Sequence, residues 1–329
     1  MKAIVCTKYG SPDVLQRTEV EKPAPKDNEA LVKVHAASVN AADLETLRGV
    51  FVVRLMIQGL LKPKNTILGS DIAGRVEAVG RNVKQFQSGD EIWGDLSLCG
   101  YGTFAEYVCV PENALRLKPA SMAFEEAAAV PTAAVVALQN LRDKRPIQPG
   151  QKVLINGAGG GAGTFAVQLA KYFGAEVTGV DSTRKLDMLR SIGADHVIDY
   201  TKEDFTKNGQ HYDLILDVVV HRSIFDYKRA LSHKGICVFV GGSMARVFLN
   251  TLLGPLVSMM GSKKMGLVPW KPNKKEDLDF LKELLEAGKV VPVIDKRYPL
   301  SEVPEAFRYL EEGHAQGKLV ITLEHNNKT

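Results

Sequence analysis

Val153-Leu154-Ile155-Asn156-Gly157-Ala158-Gly159-Gly160-Gly161-Ala162-Gly163 is the stretch that decides the fold of this chain. A buried-type strand, residues 152–156, runs straight into a glycine-rich turn, and residues 164–173 beyond it read as a helix ended by Gly174. A glycine turn between strand and helix is the context of a dinucleotide-binding loop. Residues without Cβ let the backbone approach a pyrophosphate, and the free N–H groups at the helix start bind its charge. The last glycine, Gly163, lets helix and strand pack closely. Gly157, Ala158, Gly159, Gly160, Gly161, Ala162 and Gly163 are therefore candidate coenzyme-binding residues.

Outward from this loop, strands and helices alternate. Residues 176–180, 196–198, 214–220 and 236–240 read as strands, and 184–192 and 225–231 as helices. Repeated βα units imply a doubly wound parallel sheet with helices on both faces. The second strand leads into Asp181-Ser182-Thr183-Arg184-Lys185, where an adenosine ribose is read. An acid there prefers the 2′-hydroxyl of NADH. Ser182, Arg184 and Lys185 instead suit the 2′-phosphate of NADPH, because an arginine fork and a lysine match its charge. His221 follows the strand ending at Val220 and has contact with adenosine or plain solvent exposure open to it.

The first 120 residues differ in pattern. Residues 2–7, 29–38, 72–79, 91–94 and 104–110 are short Val-, Ala- and aromatic-rich runs bounded by Gly and Pro turns. Many short strands of this kind suggest a partly open barrel. Ser121 is placed to cap a helix opening at Met122, and the alanine-rich stretch after it is interrupted by Pro131. After Gly266 the βα repetition stops. Asn273 and Glu276 have capping-box spacing before an apolar helix face, and residues 318–323 read as a final strand. The tail is expected to rejoin the barrel. The expected division is 1–122 and 266–329 for the barrel domain, with 123–265 as an inserted sheet domain.

The chain has 329 residues, enough for about two domains. Its 42 basic and 38 acidic residues leave a net charge of +4. The basic residues are scattered, and pairs such as Lys263-Lys264 are too short for a nucleic-acid groove. No secretory signal is read at Met1–Val5, and the apolar stretches 50–61 and 247–260 fall short of a membrane span. A cytoplasmic protein is expected. The four cysteines, Cys6, Cys99, Cys109 and Cys237, form no C-x-x-C pair, so no structural zinc lobe is expected.

These motifs together resemble the medium-chain dehydrogenase/reductase superfamily over essentially the whole length, and within it the zinc-free, quinone-oxidoreductase-like branch related to zeta-crystallin. The resemblance is carried by Ser38-Val39-Asn40-Ala41-Ala42-Asp43, Leu68-Gly69-Ser70-Asp71-Ile72-Ala73-Gly74, Gly100-Tyr101-Gly102-Thr103-Phe104-Ala105-Glu106-Tyr107, Val130-Pro131-Thr132-Ala133-Ala134, the glycine loop, Leu189-Arg190-Ser191-Ile192-Gly193-Ala194-Asp195 and Gly313-His314-Ala315-Gln316-Gly317-Lys318. It implies an α/β fold, a GroES-like β-barrel domain with an inserted Rossmann domain. It also implies NADPH as coenzyme, with NADH the alternative, a tyrosine near the 2′-phosphate at Tyr200, and coenzyme contacts at Val240, Gly241 and Lys318.

Zinc members of the superfamily hold catalytic zinc with a Cys, then a His-Glu after a Gly, then a later ligand. The matching positions here are Asn40 and Gly69-Ser70-Asp71. An amide and a hydroxyl are poor replacements for thiolate and imidazole. Without a Lewis acid, alcohol oxidation is disfavoured, and hydride transfer to a quinone or an α,β-unsaturated carbonyl is favoured. Asn40 is a candidate oxyanion donor, with helix capping as its other reading. Thr132 matches a family position near the nicotinamide carboxamide, with a backbone-bonded helix hydroxyl as its other reading. Asp43 reads as structural. Another activated carbonyl, such as an alkenal or ketol, stays open as substrate. So does a non-catalytic NADPH-binding regulatory or structural role. The two apolar stretches are expected to wall the acceptor site, with ordinary core, a homodimer interface and a membrane-surface contact as alternatives.

Overall fold

The computed structural model describes residues 1–50, 54, 59–144, 146–259 and 261–324. It divides into two compact units. The first comprises Met1–Ala133, Pro272–Glu286 and Ile294–Thr329, and the second Ala134–Lys271 and Ala287–Val293. The division thus falls at Ala133/Ala134 and Lys271/Pro272, with a short return to the second unit at Ala287–Val293.

In the first unit, β1 (Lys2–Val5) pairs antiparallel with β2 (Gln16–Glu19). The larger sheet is organised by β3 (Glu29–Val39), whose 11 residues are mostly Ala and Val. Along one edge β3 pairs with β4 (Asp71–Val79). Its other edge is shared: β6 (Tyr107–Pro111) takes the first half and β15 (Lys318–Thr322) the second. β4 continues to β5 (Glu91–Asp95), and β5 to β7 (Leu115–Leu117). β14 (Ile294–Pro299) closes the far side, parallel to β15. The final strand therefore returns to the N-terminal sheet. Val32, Val34, Leu68, Ile72, Ile92, Phe104, Phe307 and Leu319 are among the buried residues that pack as its core.

Helix α1 (Ala41–Arg48) follows β3 directly, starts from Asn40 and ends at Gly49 in the left-handed region. The segment before Pro131 is helical only from α2 (Phe124–Ala128), capped at Ala123 rather than Ser121. There the Glu126 carboxylate accepts the Ala123 N–H at 2.9 Å, which offsets an orphan donor that alanine has no side chain to satisfy. Helix α3 (Pro131–Arg142) then begins with its proline in the first turn, where no N–H is required.

The second unit is a six-stranded parallel sheet in the order β10-β9-β8-β11-β12-β13. The strands are β8 (Lys152–Asn156), β9 (Glu176–Asp181), β10 (His196–Asp199), β11 (Tyr212–Asp217), β12 (Leu231–Phe239) and β13 (Lys264–Leu267). The crossovers include α4 (Gly161–Tyr172), α5 (Leu186–Ser191), α6 (Ile224–Ala230) and α7 (Met244–Met259). The chain runs outward from β8 to β10, then restarts on the other side of β8 with β11. That reversal places the switch point between β8 and β11, where open α/β sheets bind ligands. Helices α8 (Lys275–Glu286) and α9 (Val303–Glu311) complete the first unit.

The expected cap of α8 is not made by Asn273. The helix starts at Lys275, and Asn273 has a φ of +56°. Its amide holds the Asp95 backbone instead: Oδ1 accepts the Asp95 N–H at 3.2 Å and Nδ2 donates to the Asp95 carbonyl at 2.6 Å.

Candidate coenzyme loop and polar cluster

The glycine loop leaves the end of β8 at the switch point. Gly157 has a φ of +79°, which favours glycine, and Gly160 caps α4. A Cβ on Gly163 would lie 2.2 Å from the Gly157 carbonyl oxygen, so only glycine permits this turn-to-helix packing. A Cβ on Gly160 would meet only that same oxygen, at 3.5 Å. The space beside Gly160 is therefore open, as a pyrophosphate cradle requires. Beneath the loop, Asn156 Nδ2 donates to both Asp217 carboxylate oxygens at 3.0 Å, tying β8 to β11. Burial raises the Asp217 pKa, against the lowering effect of its bonds to Tyr227 and Asn156.

Asp181 ends β9, but its carboxylate is largely committed. One oxygen accepts the Gly159 N–H and the other the Ser182 N–H, both at 2.8 Å. The Lys185 ammonium lies 3.5 Å from the second oxygen, and both side chains are buried. The acid and the base weighed against each other in the sequence thus form an ion pair with each other. Arg184 is exposed and has no ion pair among the described residues. Tyr200 is 55% exposed. Its N–H donates to the Asp181 carbonyl, which fixes it at the strand end next to Asp181. Val240 follows β12, and its N–H donates to the Asp217 carbonyl at 2.9 Å. The neighbouring Gly241 carbonyl accepts the Val220 N–H at 2.8 Å. His221 is exposed and contacts the Val219 carbonyl.

The first unit contains a buried polar row. Strand register sets Ser38 opposite Asp71, and Asp71 opposite Asp95. One Asp71 oxygen accepts Ser38 Oγ at 2.7 Å and Asn40 Nδ2 at 2.9 Å, and faces the Lys318 ammonium at 3.5 Å. The other accepts the Thr132 N–H at 2.9 Å and the Thr132 hydroxyl at 2.7 Å. Asp71, Asp95 and Lys318 are each at most 2% exposed.

Asn40 belongs to this row. It occupies the N-cap of α1, and its backbone N–H is accepted by Asp43 at 2.9 Å. Its side-chain amide donates to Ser70 Oγ and Asp71, while its carbonyl accepts from Lys318. Both amide hydrogens have partners, so donation to an oxyanion requires one of those bonds to open. Asp43 is fully buried, its Oδ1 has no partner among the described residues, and burial pushes its pKa up to about 7. The Lys318 ammonium also bonds the Val39 carbonyl, which places it inside this row. Sequence reasoning missed Asp71 and Asp95 as the centre of the row. The available signal was the pair of acids closing the motifs Gly69-Ser70-Asp71 and Trp93-Gly94-Asp95.

Among the described residues, no three His, Cys, Asp or Glu side chains are arranged to hold a metal ion. No described helix is long and apolar enough to cross a membrane. The apolar stretch 50–61 lies largely outside the described residues. In the other, α7 turns Phe248, Leu249, Leu252 and Met259 to solvent, with exposures from 43% to 83%.

A model for the alcohol dehydrogenase GroES-like domain matches residues 26–120, and one described as zinc-binding dehydrogenase matches 192–321. The second match does not include Asn40, Ser70 or Asp71. The 2-methylene-furan-3-one reductase of Solanum lycopersicum is 37% identical over 98% of this chain and 79% of its own length. The NADPH-dependent alkenal/one oxidoreductase of Arabidopsis thaliana, a chloroplastic protein, is 34% identical with the same coverage. The structure of the quinone oxidoreductase from Coxiella burnetii superposes with a TM-score of 0.88 at 30% identity, covering 98% of this chain and 99% of that one.

Proposed function

The chain belongs to the medium-chain dehydrogenase/reductase superfamily, in its quinone-oxidoreductase-like branch, and on that premise we propose that it is an NADPH-dependent reductase of quinones or α,β-unsaturated carbonyls that works without zinc. The observation that carries the coenzyme is the open space beside Gly160 at the N-terminus of α4. The chain's part is to seat the pyrophosphate on the N–H groups of 157–163. Arg184 and Tyr200, exposed at the adjacent strand ends, suit the 2′-phosphate. The Asp181–Lys185 pair cancels the carboxylate charge that would otherwise repel that phosphate. NADH remains the poorer alternative. When bound, the reduced nicotinamide supplies the hydride.

Zinc independence is supported by the donor set. The positions matching the Cys and His-Glu of zinc relatives are Asn40, Ser70 and Asp71, and a buried ammonium already faces two of them. A divalent cation would meet the Lys318 charge. The acceptor class follows the names of the relatives, and the exposed apolar side chains of α7 suit a hydrophobic acceptor. The four free cysteines fit a reducing compartment, and a cytoplasmic location is part of the same proposal. Homodimerisation is part of the same proposal, checked by sizing.

An acceptor screen tests this reading: quinones, enones and alkenals, each with NADPH and NADH. NADPH oxidation on at least one class supports it. Tight NADPH binding without turnover on any acceptor points instead to a nucleotide-binding protein with no catalytic role.

A further inference from the structure

The Thr132 hydroxyl lies 2.7 Å from an Asp71 oxygen and 3.0 Å from an Asp95 oxygen. A hydroxyl has one proton and can satisfy only one carboxylate. Directly opposed like charges on neighbouring strands also repel, and register sets Asp71 against Asp95. Both contacts become favourable when one carboxyl carries a proton. Asp71 is the wrong one, because donors already engage both of its oxygens: Ser38, Asn40 and Lys318 on one, the Thr132 N–H and hydroxyl on the other. Asp95 is engaged by Ser97 at Oδ1, and among the described residues its Oδ2 faces the Thr132 hydroxyl, toward which it can hold a proton.

We propose that Asp95 is a positioning residue that acts as a neutral acid: its carboxyl donates to the Thr132 hydroxyl, which in turn donates to ionised Asp71. The direction of the Thr132 O–H is thereby fixed. Its proton points inward, so the half-buried hydroxyl can offer an incoming group a lone pair but no proton. That excludes Thr132 as a donor to a developing oxyanion and suits it to an N–H-bearing partner. Burial and the Asp71 charge push Asp95 up to about 6. The other titratable groups facing this site are Asp43, Cys99, Tyr101 and, through Asp71, Lys318.

The two aspartates then have opposite requirements. An asparagine at 95 keeps an acceptor for Ser97 and supplies an N–H to Thr132. An asparagine at 71 places an N–H2 group against donors. The test uses the full chain without coenzyme, as D95N and D71N. Infrared difference spectra at about pH 5 should show D95N lacking one neutral-carboxyl band of the parent. Between about pH 5 and pH 8 the parent's Tm should fall by at least ~2–4 °C more than that of D95N. D71N should lose Tm at both pH values. If D71N fails to fold, the two D95N readouts still decide. Full retention of the neutral-carboxyl intensity in D95N, or a pH dependence of Tm as steep as the parent's, overturns the assignment. Because neither readout uses turnover, the proton-sharing trio and the reductase reading fail independently.

Discussion

The Asp181 carboxylate reaches back over 22 residues of chain to accept the Gly159 N–H at 2.8 Å. An acid in this position is usually the reader of a ribose hydroxyl. Here it also braces the loop that a coenzyme must approach, and Lys185 neutralises it. On the proposed reading, coenzyme choice falls to the residues left exposed around the pair.

Arg184→Ala should weaken NADPH binding about 10- to 100-fold, the size of one charge-assisted contact, and leave NADH binding nearly unchanged. Lys185→Ala should behave differently. It strands a buried carboxylate and should lower Tm as well as coenzyme affinity. Titrations with both coenzymes, alongside melting curves, separate the two outcomes. Equal losses for NADPH and NADH in Arg184→Ala count against a 2′-phosphate contact.

Two glycines of the loop should respond in opposite ways. At Gly160 an added Cβ meets no close contact, so Gly160→Val should fold with Tm nearly unchanged while losing NADPH binding. Gly163→Ala drives a Cβ against the Gly157 carbonyl and should cost about 1–3 kcal/mol of stability. Calorimetric melting and coenzyme fluorescence check both. Normal NADPH binding by folded Gly160→Val removes this loop as the pyrophosphate seat.

The loop was legible in the sequence because its signal is local. Strand, glycines and helix are contiguous, and the βα alternation around them repeats the same message. The polar row was not legible, because Ser38, Asp71, Asp95, Thr132 and Lys318 meet only through strand register and the start of α3. Nor could composition reveal that Asp181 and Lys185 face each other, since both readings of that segment assumed side chains turned outward. Asn273 shows a third limit. Its spacing to Glu276 fits a capping box, yet its amide is drawn to the Asp95 backbone in another part of the unit.

Stability should fall as pH rises from about 5 to 7. Asp43 and Asp95 are raised from 3.8 to about 7 and about 6. Each therefore holds its proton more tightly folded than unfolded. Across that window the unfolded chain has released protons that the folded chain keeps, so unfolding becomes progressively easier. Carboxylates with lowered pKa values, such as Asp204 and Asp226, complete their stabilising contribution below the window and leave its slope unchanged. Over that window the combined effect is on the order of 3–4 kcal/mol. Melting of the parent and Asp43→Asn across this range should show a shallower slope in the variant. An increase in the parent's Tm toward pH 7 contradicts the assignment.

Purified protein should contain no stoichiometric zinc, and chelators should leave its turnover unchanged. Elemental analysis finding one zinc per chain would reject the zinc-independent mechanism. Lys318→Met should be strongly destabilising, about 3–5 kcal/mol, because it leaves the Asp71 carboxylate buried beside Asn40 without its cation. A Tm close to the parent's would show that the ammonium is dispensable there.

The Lys318 ammonium also bears on how readily this architecture could exchange one chemistry for another. Placing a thiolate at 40 and an imidazole at 70 would not suffice to recruit a metal, since a resident positive charge would still face the new ligands. Removing the lysine first would strand Asp71. A change of chemistry at this row therefore requires the lysine and its aspartate to change together.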